Sequence, residues 1–471
     1  MKNVHYPHFR LRAAPIPATL FAVTFWLTFL FMFLVYWRPQ DWLIPQIYGW
    51  PILDVIVGAS LVGLLIEIEQ RRIRFPWTLP QPKLVIGVFL AYIFSNVAHT
   101  FMQQILDTWI EMFKMCFFTL LLIVVMDSPK KLRWVARLFV VMALLMTVHC
   151  LLQQSRGYGF AGARPIYMAA NRLRPAFLRC YFFGIFEDPN DTGQFLACAI
   201  PFCFALFRRR NWWTTLLGMG MVYVLILGIM TTHSRGALVG LVAVGAMLVV
   251  LRLPQRWMSA LLLIGLLGAL PLCTIYGRGL DTSARERIIM WGFCNQYLAA
   301  HPLSLLFGLG GGMSYRIADM YSMRGLTMHN AFVFCYTEIG YFGFIFWFGL
   351  IIMGITGAWR VRVKLVEYKR DGGEEGYLWR MAGLAMVSMV GFCASGYFLS
   401  RAFIYPMFFL MAFLGVLPLI AQEQIGGWGR GSTETVLLVD GPRTVWPLCI
   451  IGAAVGMVYI WVSCIMLNIG A

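Results

Sequence analysis

Five arginines lie in a polar stretch between two apolar runs, and a histidine begins the second of these runs. The stretch covers residues 275–328, and His329 opens the apolar run HNAFVFCYTEIGYFGFIFWF that follows. A guanidinium offers a planar pair of N–H donors to a phosphate or carboxylate, and a neutral imidazole accepts a proton from a hydroxyl. The stretch therefore predicts an active site for an anionic, lipid-linked substrate. Its arginines are Arg278, Arg285, Arg287, Arg316 and Arg324.

The composition predicts an integral membrane protein. The 471 residues are 60% hydrophobic, with a mean hydropathy of +0.73, whereas soluble domains are roughly 45–50% apolar. In such a protein the net charge of +17 does not indicate nucleic-acid binding. The informative property is the position of the cations relative to the bilayer. The first apolar run, residues 19–36, has no cleavage site after it and is expected to be a transmembrane helix instead of a removable signal peptide.

Apolar runs of transmembrane length predict an all-α, polytopic transmembrane helical bundle of about 12–13 spans, with residues 1–471 forming one membrane domain. The cysteines show no metal-ligand spacing, so we expect no metal site. The predicted spans are 18–37, 50–67, 83–103, 109–126, 132–153, 191–207, 212–230, 236–251, 257–276, 329–359, 380–399, 402–420 and 445–466.

The basic residues predict the orientation of these spans. If the N-terminus is cytoplasmic, 24 of the 38 lysines and arginines fall on its side of the membrane, as the positive-inside rule requires. Thirteen fall on the other side, in loops that include 154–186 and 277–328, and all thirteen are arginines. This choice of residue suggests phosphate or carboxylate recognition, with loop solvation or lipid headgroup contact as the alternative.

The segment TTHSRGALVGL places Arg235 at the start of a span. Ser234 is available as its N-cap, and Gly236 and Gly240 form a small-residue face. An arginine in the first turn opposes the helix dipole unless an anion binds there. An arginine that reaches to lipid headgroups is the alternative.

The segment DTSARERIIMW carries a capping box, Ser283 with Glu286, which predicts a helix with Arg285 and Arg287 in its first turn. Those two arginines point about 200° apart, so only one of them can contact a given ligand group directly. The segment HPLSLLFGLGGGMS follows and lacks the ending of a phosphate-binding P-loop. A lid hinge or a backbone anion site is expected there.

Two further segments carry polar groups. In FEDPNDTGQF, Asp188, Pro189 and Asp191 have the spacing of N-cap, N1 and N3, and this structural role is favoured over acceptor binding. Helical spacing places Tyr336 on the face of His329, together with Val333, Gly340 and Gly343, and places Glu338 on the opposite face. The histidine is expected to act as a general base or, alternatively, to cap the helix.

The motifs of residues 186–345 are, in chain order, DPND at 188–191, SRGAL at 234–238, Arg287 four residues before Trp291, the segment 302–312, and His329-Asn330 followed by Gly340 and Gly343. Together they resemble the O-antigen ligase and polymerase superfamily of bacterial polysaccharide assembly. The spacing from His-Asn to Gly-x-x-Gly looks like the ligase branch, although Phe344 stands where that branch usually has a smaller residue.

The resemblance implies a GT-C-like, metal-independent, inverting glycosyltransferase of the bacterial inner membrane that needs no cofactor. Its donor would be an undecaprenyl-diphosphate-linked glycan on the periplasmic face, where loops 154–186 and 277–328 would lie, the second as a lid with short helices. Its acceptor would be lipid A core, a growing glycan or a protein. Arg235 and Arg287 would stabilise the departing diphosphate, and His329 would assist the acceptor hydroxyl. The candidate binding residues are Arg278, Arg285, Arg316, Arg324, Asn330, Asp188, Asp191 and Tyr336.

Two alternatives remain open at the level of sequence. A polysaccharide polymerase differs from a ligase only in its acceptor. A lipid-glycan flippase would bind the same diphosphate without chemistry, but it should place charged residues in a cavity through the bilayer. The predicted spans are nearly free of charge, which favours the transferase.

Overall fold

The chain folds as a bundle of α-helices in the parts that the structure describes. The computed structural model describes residues 23–70, 73, 75–170, 175–207, 211–253, 257, 282–321, 327–369, 372–399, 401–426 and 441–470. The helices are α1 (Val23–Trp37), α2 (Ile52–Glu69), α3 (Gln81–Ala98), α4 (Met102–Val125), α5 (Pro129–Arg156), α6 (Pro189–Ala199), α7 (Trp212–Thr232), α8 (Arg235–Val250), α9 (Thr282–Ala300), α10 (Pro302–Phe307), α11 (Tyr315–Met320), α12 (Ala331–Lys364), α13 (Glu374–Gly396), α14 (Tyr405–Gly426) and α15 (Pro442–Gly470).

Eight of the described helices are long and apolar enough to cross a membrane: α3, α4, α5, α7, α12, α13, α14 and α15. The apolar helices α1 and α8 are shorter. A small antiparallel pair, β1 (Ile166–Met168) and β2 (Phe177–Arg179), is the one sheet among the described residues, with Ile166 opposite Arg179. The expected all-α, polytopic membrane fold is confirmed. The predicted span 257–276 lies outside the described residues except for Trp257.

The predicted span 191–207 is wrong. Helix α6 has only 11 residues and gives way to a 3₁₀ turn at Pro201–Phe204. Eleven residues rise about 16 Å, roughly half of the ~30 Å hydrocarbon core. Pro201 has no N–H to continue the helical hydrogen bonds, so the apolar run divides into two short pieces.

The small-residue face predicted for α8 is confirmed, because it packs closely on α13. A Cβ added to Gly240 would lie 3.0 Å from the Gly391 carbonyl oxygen, and one added to Gly391 would lie 2.5 Å from Val244 Cγ2. Backbones approach this closely only where side chains are small. Helix α6 packs against the same pair, since Ser388 Oγ donates to the Cys198 carbonyl at 2.6 Å.

Helix α12, at the centre of the bundle, is broken at Gly340. The φ and ψ angles of this residue are 65° and −175°, far from helical values. The break leaves carbonyls without intrahelical donors, and the glycine-rich segment 308–312 supplies them: Leu309 N donates to Thr337 O at 2.8 Å and Gly310 N to Glu338 O at 3.2 Å. Ser95 Oγ also donates to Glu338 O. The glycine-rich segment therefore anchors the break in α12.

The backbones of Gly308 and Gly340 come into direct contact at this anchor. A Cβ on Gly308 would lie 2.2 Å from the Glu338 carbonyl oxygen, and a Cβ on Gly340 would lie 2.3 Å from the Leu306 carbonyl oxygen. Both φ angles are positive, at 82° and 65°. Only glycine fits both positions, because any side chain there would meet backbone atoms that cannot turn away.

We expect Gly340→Ala to destabilise the protein by more than about 3 kcal/mol, because the left-handed φ alone costs roughly 1–3 kcal/mol and the clash adds to it. The matched control is Gly220→Ala on α7, where a Cβ meets nothing within 4 Å. Unfolding temperature and monodisperse yield of detergent-purified protein measure the effect. An unfolding temperature for Gly340→Ala equal to that of the control would contradict the close backbone approach.

Candidate active site

Helix α6 begins with the cap that its sequence predicts. The side chain of Asp188 accepts a hydrogen bond from Asn190 N at 2.6 Å, Pro189 is the first helical residue, and Asp191 is the third. The N-cap, N1 and N3 positions are therefore confirmed. These roles leave both carboxylates at the start of the helix, where Asp188 and the buried Asp191 line a cavity.

Helix α8 begins beside α6. Ser234 Oγ accepts from Ala237 N at 3.2 Å, which confirms the predicted N-cap, and Arg235 follows as the first helical residue, exposed to solvent. A Cβ on Gly193 of α6 would lie 2.7 Å from Ala237 Cβ, so the two helix starts are in contact. Arg179 joins them by donating from Nε to Thr232 O at 3.2 Å and from Nη2 to Asn190 Oδ1 at 3.0 Å.

The cap of α12 is Asn330, and not His329. Asn330 Oδ1 accepts from Phe332 N at 3.0 Å and from Val333 N at 3.2 Å, and the whole residue is buried. His329 precedes the cap with a left-handed φ of 43°. The histidine is therefore not part of the helix, and the hypothesis that it caps the helix is wrong.

Helical spacing from His329 consequently fails as a guide to its neighbours. Tyr336, which that spacing places on the face of His329, is fully buried and donates to Asn295 Oδ1 at 2.7 Å. Glu338, which the same spacing places on the opposite face, lines the same cavity as His329. The reason is that a residue before the N-cap does not share the 100° rotation of the helix that follows.

The cavity has a volume of about 590 Å³ and lies among α3, α4, α6, α9, α11 and α12. Its acidic groups outnumber its basic groups. The charged or titratable lining residues are Asp107, Glu111, Asp188, Asp191, Glu338, Arg401 and His329, beside the hydroxyl groups of Tyr92, Thr108, Ser314, Tyr315 and Thr327. The cavity is therefore rich in hydrogen-bond acceptors, as a site for a hydroxylated ligand would be.

Helix α9 brings Arg287 within electrostatic range of His329. Trp291, one turn after Arg287, is buried and donates from its indole N–H to the carbonyl of Met328, the residue before His329. Burial, and after it the Arg287 guanidinium, lower the pKa of the His329 imidazole to about 4, against the opposite effect of Asp188. His329, Arg287 and Asp188 thus form one electrostatic group, in which the imidazole is neutral at pH 7.

Of the other arginines predicted in loop 277–328, the structure describes Arg285 and Arg316. Arg285 is exposed while Arg287 is half-buried, in keeping with their opposite directions on α9. The Arg316 guanidinium lies 4.7 Å from the centre of the Phe101 ring. Arg278 and Arg324 lie outside the described residues. Among the described arginines of loop 277–328, Arg287 is therefore the one that acts on His329.

Glu338 and Arg401 are site residues that the sequence analysis did not select. Glu338 Oε2 accepts from Gly312 N at 3.0 Å, so the glycine-rich segment binds the chain's own carboxylate. Arg401 Nε donates to Asp191 Oδ2 at 2.6 Å. The available signals were a carboxylate inside an apolar run, and an arginine in the two-residue gap between the predicted spans 380–399 and 402–420.

The sequence of the segment that carries several of these residues is similar to a known protein family. Residues 220–348 match the family model described as O-antigen ligase. The resemblance of the chain to the O-antigen ligase and polymerase superfamily is confirmed over this segment. The O-antigen ligase match includes Arg235, Arg287 and His329, whereas α6 and its carboxylates precede it. It supports a membrane enzyme of the ligase or polymerase type. No curated protein matches the chain.

We expect Arg287→Gln to raise the pKa of His329, because the substitution removes a nearby positive charge, and Asp188→Asn to lower it, because it removes a negative one. Asparagine also caps helices well, so Asp188→Asn should leave α6 intact. Titration of isotope-labelled histidine by NMR measures both shifts, with His329→Gln as the assignment control. An unchanged pKa in both variants would contradict the electrostatic group.

The low pKa also predicts how stability depends on pH. The folded-state pKa of about 4 lies below the ~6.5 of an unfolded histidine, so protonation favours the unfolded chain. The contribution of neutral His329 is fully present above pH ~6.5 and decreases as the pH falls from about 6.5 towards 4. The unfolding temperature of wild type should therefore fall relative to that of His329→Gln as the pH is lowered across this range, and a constant difference between the two would contradict the low pKa.

Proposed function

We propose that this protein is a glycosyltransferase that moves a glycan from an undecaprenyl-diphosphate-linked donor to an acceptor hydroxyl on the periplasmic face of the inner membrane, in the manner of O-antigen ligases. The observation that carries the proposal is that His329 and Asp188 line one cavity, and that Arg287 lies close enough to affect the His329 imidazole electrostatically. A neutral imidazole beside a guanidinium provides a proton acceptor and an anion ligand within one site.

The proposed reaction is a single displacement at the anomeric carbon. The acceptor oxygen forms the new C–O bond as its proton passes to His329, and the bond from the anomeric carbon to the diphosphate oxygen breaks with its electron pair. The lipid diphosphate leaves from the opposite side, which inverts the configuration. Neither a metal nor a cofactor is required in this scheme, since the leaving group is already a good one and the arginines stabilise its charge.

Arg287 and Arg235 are proposed to bind the diphosphate. Arg287 lies close enough to His329 to affect its pKa, and Arg235 is the first residue of α8, whose free N–H groups and helix dipole also favour an anion. Neither arginine is among the residues that line the cavity, but Arg287 acts on His329, which does line it. We therefore assign Arg235 to the part of the diphosphate that extends farther from His329, towards the lipid.

The low pKa of His329 fits a base that is activated by its substrate. Burial and Arg287 keep the imidazole neutral at pH 7. A bound diphosphate would offset the positive charge of Arg287, and this would raise the pKa of His329 towards the range in which a general base is effective. The donor would thereby prepare the base before the acceptor reacts.

The carboxylates of the cavity are proposed to hold the acceptor. Sugar hydroxyls are hydrogen-bond donors, and Asp188, Asp107 and Glu111 present acceptor oxygens around His329 in the same cavity. Lipid A core, a growing glycan and a glycosylated protein all offer such hydroxyls. The role of Asp191 is to orient Arg401, with which it forms an ion pair.

Arg235→Lys and Arg287→Lys should each lower the transfer rate by about ten- to a hundredfold, because lysine keeps the charge but cannot form a bidentate contact to a diphosphate. The matched control is Arg164→Lys, an exposed arginine in loop 154–186. Rates are measured with a purified lipid-linked glycan and a lipid A core acceptor. Rates equal to the control in both variants would leave only contact with lipid headgroups for these arginines.

His329→Ala and Asn330→Ala should separate catalysis from helix capping. His329→Ala should abolish transfer with little change in donor affinity, since a proton acceptor need not contact the donor. Asn330→Ala should lower stability by about 0.5–2 kcal/mol, because Asn330 is the cap. Donor affinity, unfolding temperature and transfer are measured on the same samples. Full transfer by a stable His329→Ala variant would refute the catalytic role.

A further inference from the structure

A second polar cavity lies at the opposite end of the helices that build the active site. Helix α12 begins next to His329 and ends near Arg362, and α13 begins near Arg380 and ends near Leu399, which lines the site cavity. The 23 residues of α13 rise roughly 35 Å, more than the ~30 Å hydrocarbon core. The second cavity therefore faces the other side of the membrane.

The second cavity is large and basic. It has a volume of about 980 Å³, and its described lining contains four cationic side chains and no acidic one. The cationic residues are Arg252, Arg362, Lys369 and Arg380. Trp212 and Trp379 line it as well, and such aromatic rings are enriched at membrane interfaces. A basic cavity with this lining is complementary to an anionic group at the level of lipid headgroups.

Arg362 is held in a fixed position inside this cavity. Its Nη2 donates to Leu251 O at 3.3 Å, and its guanidinium carbon lies 4.1 Å from the centre of the Trp379 ring. Gly383 leaves room for it, since a Cβ there would lie 2.0 Å from Arg362 Nη1. The Nε of Arg362 is buried and has no hydrogen-bond partner among the described residues. An N–H donor without an acceptor is costly to bury, so a ligand that supplies an acceptor would be favoured near Arg362.

An apolar groove continues from the basic cavity along α7 and α8. The groove has a volume of about 390 Å³, and it shares Phe204, Met219 and Leu248 with the cavity. Every residue that lines it is apolar except for the hydroxyl of Tyr223. Met219 and Tyr223 are 58% and 64% exposed, so the groove opens on the outer surface of the bundle, where lipid chains lie.

We propose that the basic cavity and this groove bind one anionic phospholipid, with its phosphate among the four cations and one acyl chain along α7 and α8. The continuity of the basic cavity with the apolar groove indicates which ligand binds. A soluble anion would use the cations but not the groove, and an uncharged lipid would use the groove but not the cations. The inference does not rest on the proposed transfer reaction, because this site lies across the membrane from His329.

The test compares lipid binding by the full-length protein in nanodiscs, with phosphatidylglycerol and phosphatidylcholine as probes in native mass spectrometry. The double variant Arg252→Gln/Lys369→Gln removes two exposed cations and should weaken phosphatidylglycerol binding roughly thirtyfold without affecting phosphatidylcholine. The matched control is Lys83→Gln, an exposed lysine in the first turn of α3 at the same end of the bundle. Equal phosphatidylglycerol binding by double variant and control would overturn the proposal.

A second variant tests the groove independently of the charges. Gly245 lines the groove and has open space around it, so Gly245→Leu should obstruct the acyl chain without disturbing the fold. Gly220→Leu on α7, also in open space but outside the groove, is its control. Phosphatidylglycerol binding should fall in Gly245→Leu alone. Undiminished binding, or inorganic phosphate that displaces the lipid at equal affinity, would show a simple anion site and refute the lipid.

Discussion

The break of α12 at Gly340 is the constraint on which the rest of the structure depends. Inside a membrane protein, a carbonyl without a donor costs several kcal/mol, so a helix breaks only where another segment supplies N–H groups. Leu309 and Gly310 supply them here, and Gly308 permits the contact. The segment between α9 and α12 is thereby attached to the centre of the bundle. The same attachment holds Glu338 in the cavity through Gly312.

The candidate active site lies at helix starts. Helices α6, α8 and α12 all begin on its side, capped by Asp188, Ser234 and Asn330. Helix starts favour anions, yet the cavity itself carries more carboxylates than cations. The resulting division of charge suits a transferase with two substrates. A diphosphate would be bound by the arginines and helix starts, and a neutral, hydroxylated acceptor by the carboxylates, with His329 between them.

Helices α12 and α13 run between two polar cavities of opposite character. The acidic cavity lies at one end, and the basic cavity with Arg362 lies at the other. If the basic cavity faces the cytoplasm, as the proposed orientation requires, this distribution follows the bias of membrane insertion, which keeps lysine and arginine on the cytoplasmic side. The arginines on the site side, such as Arg287 and Arg401, would then run against that bias. Arg401 is matched by Asp191, and Arg287 lies within electrostatic range of His329.

The sequence by itself determined the features that depend on short-range chemistry. Apolar content predicted a polytopic helical membrane protein, and the spacing of Asp188, Pro189 and Ser234 predicted two helix starts, because a cap bonds to a backbone group two or three residues away. Tertiary structure decided what depends on distant partners. The contact of Glu338 with Gly312 is one example, since it holds the Glu338 carboxylate in the cavity. The position of His329 before the Asn330 cap is another, since it places the imidazole in the same cavity. Hydrogen bonds across more than twenty residues leave no periodic signal in the sequence, so the acidic lining of the cavity became visible only in the folded chain.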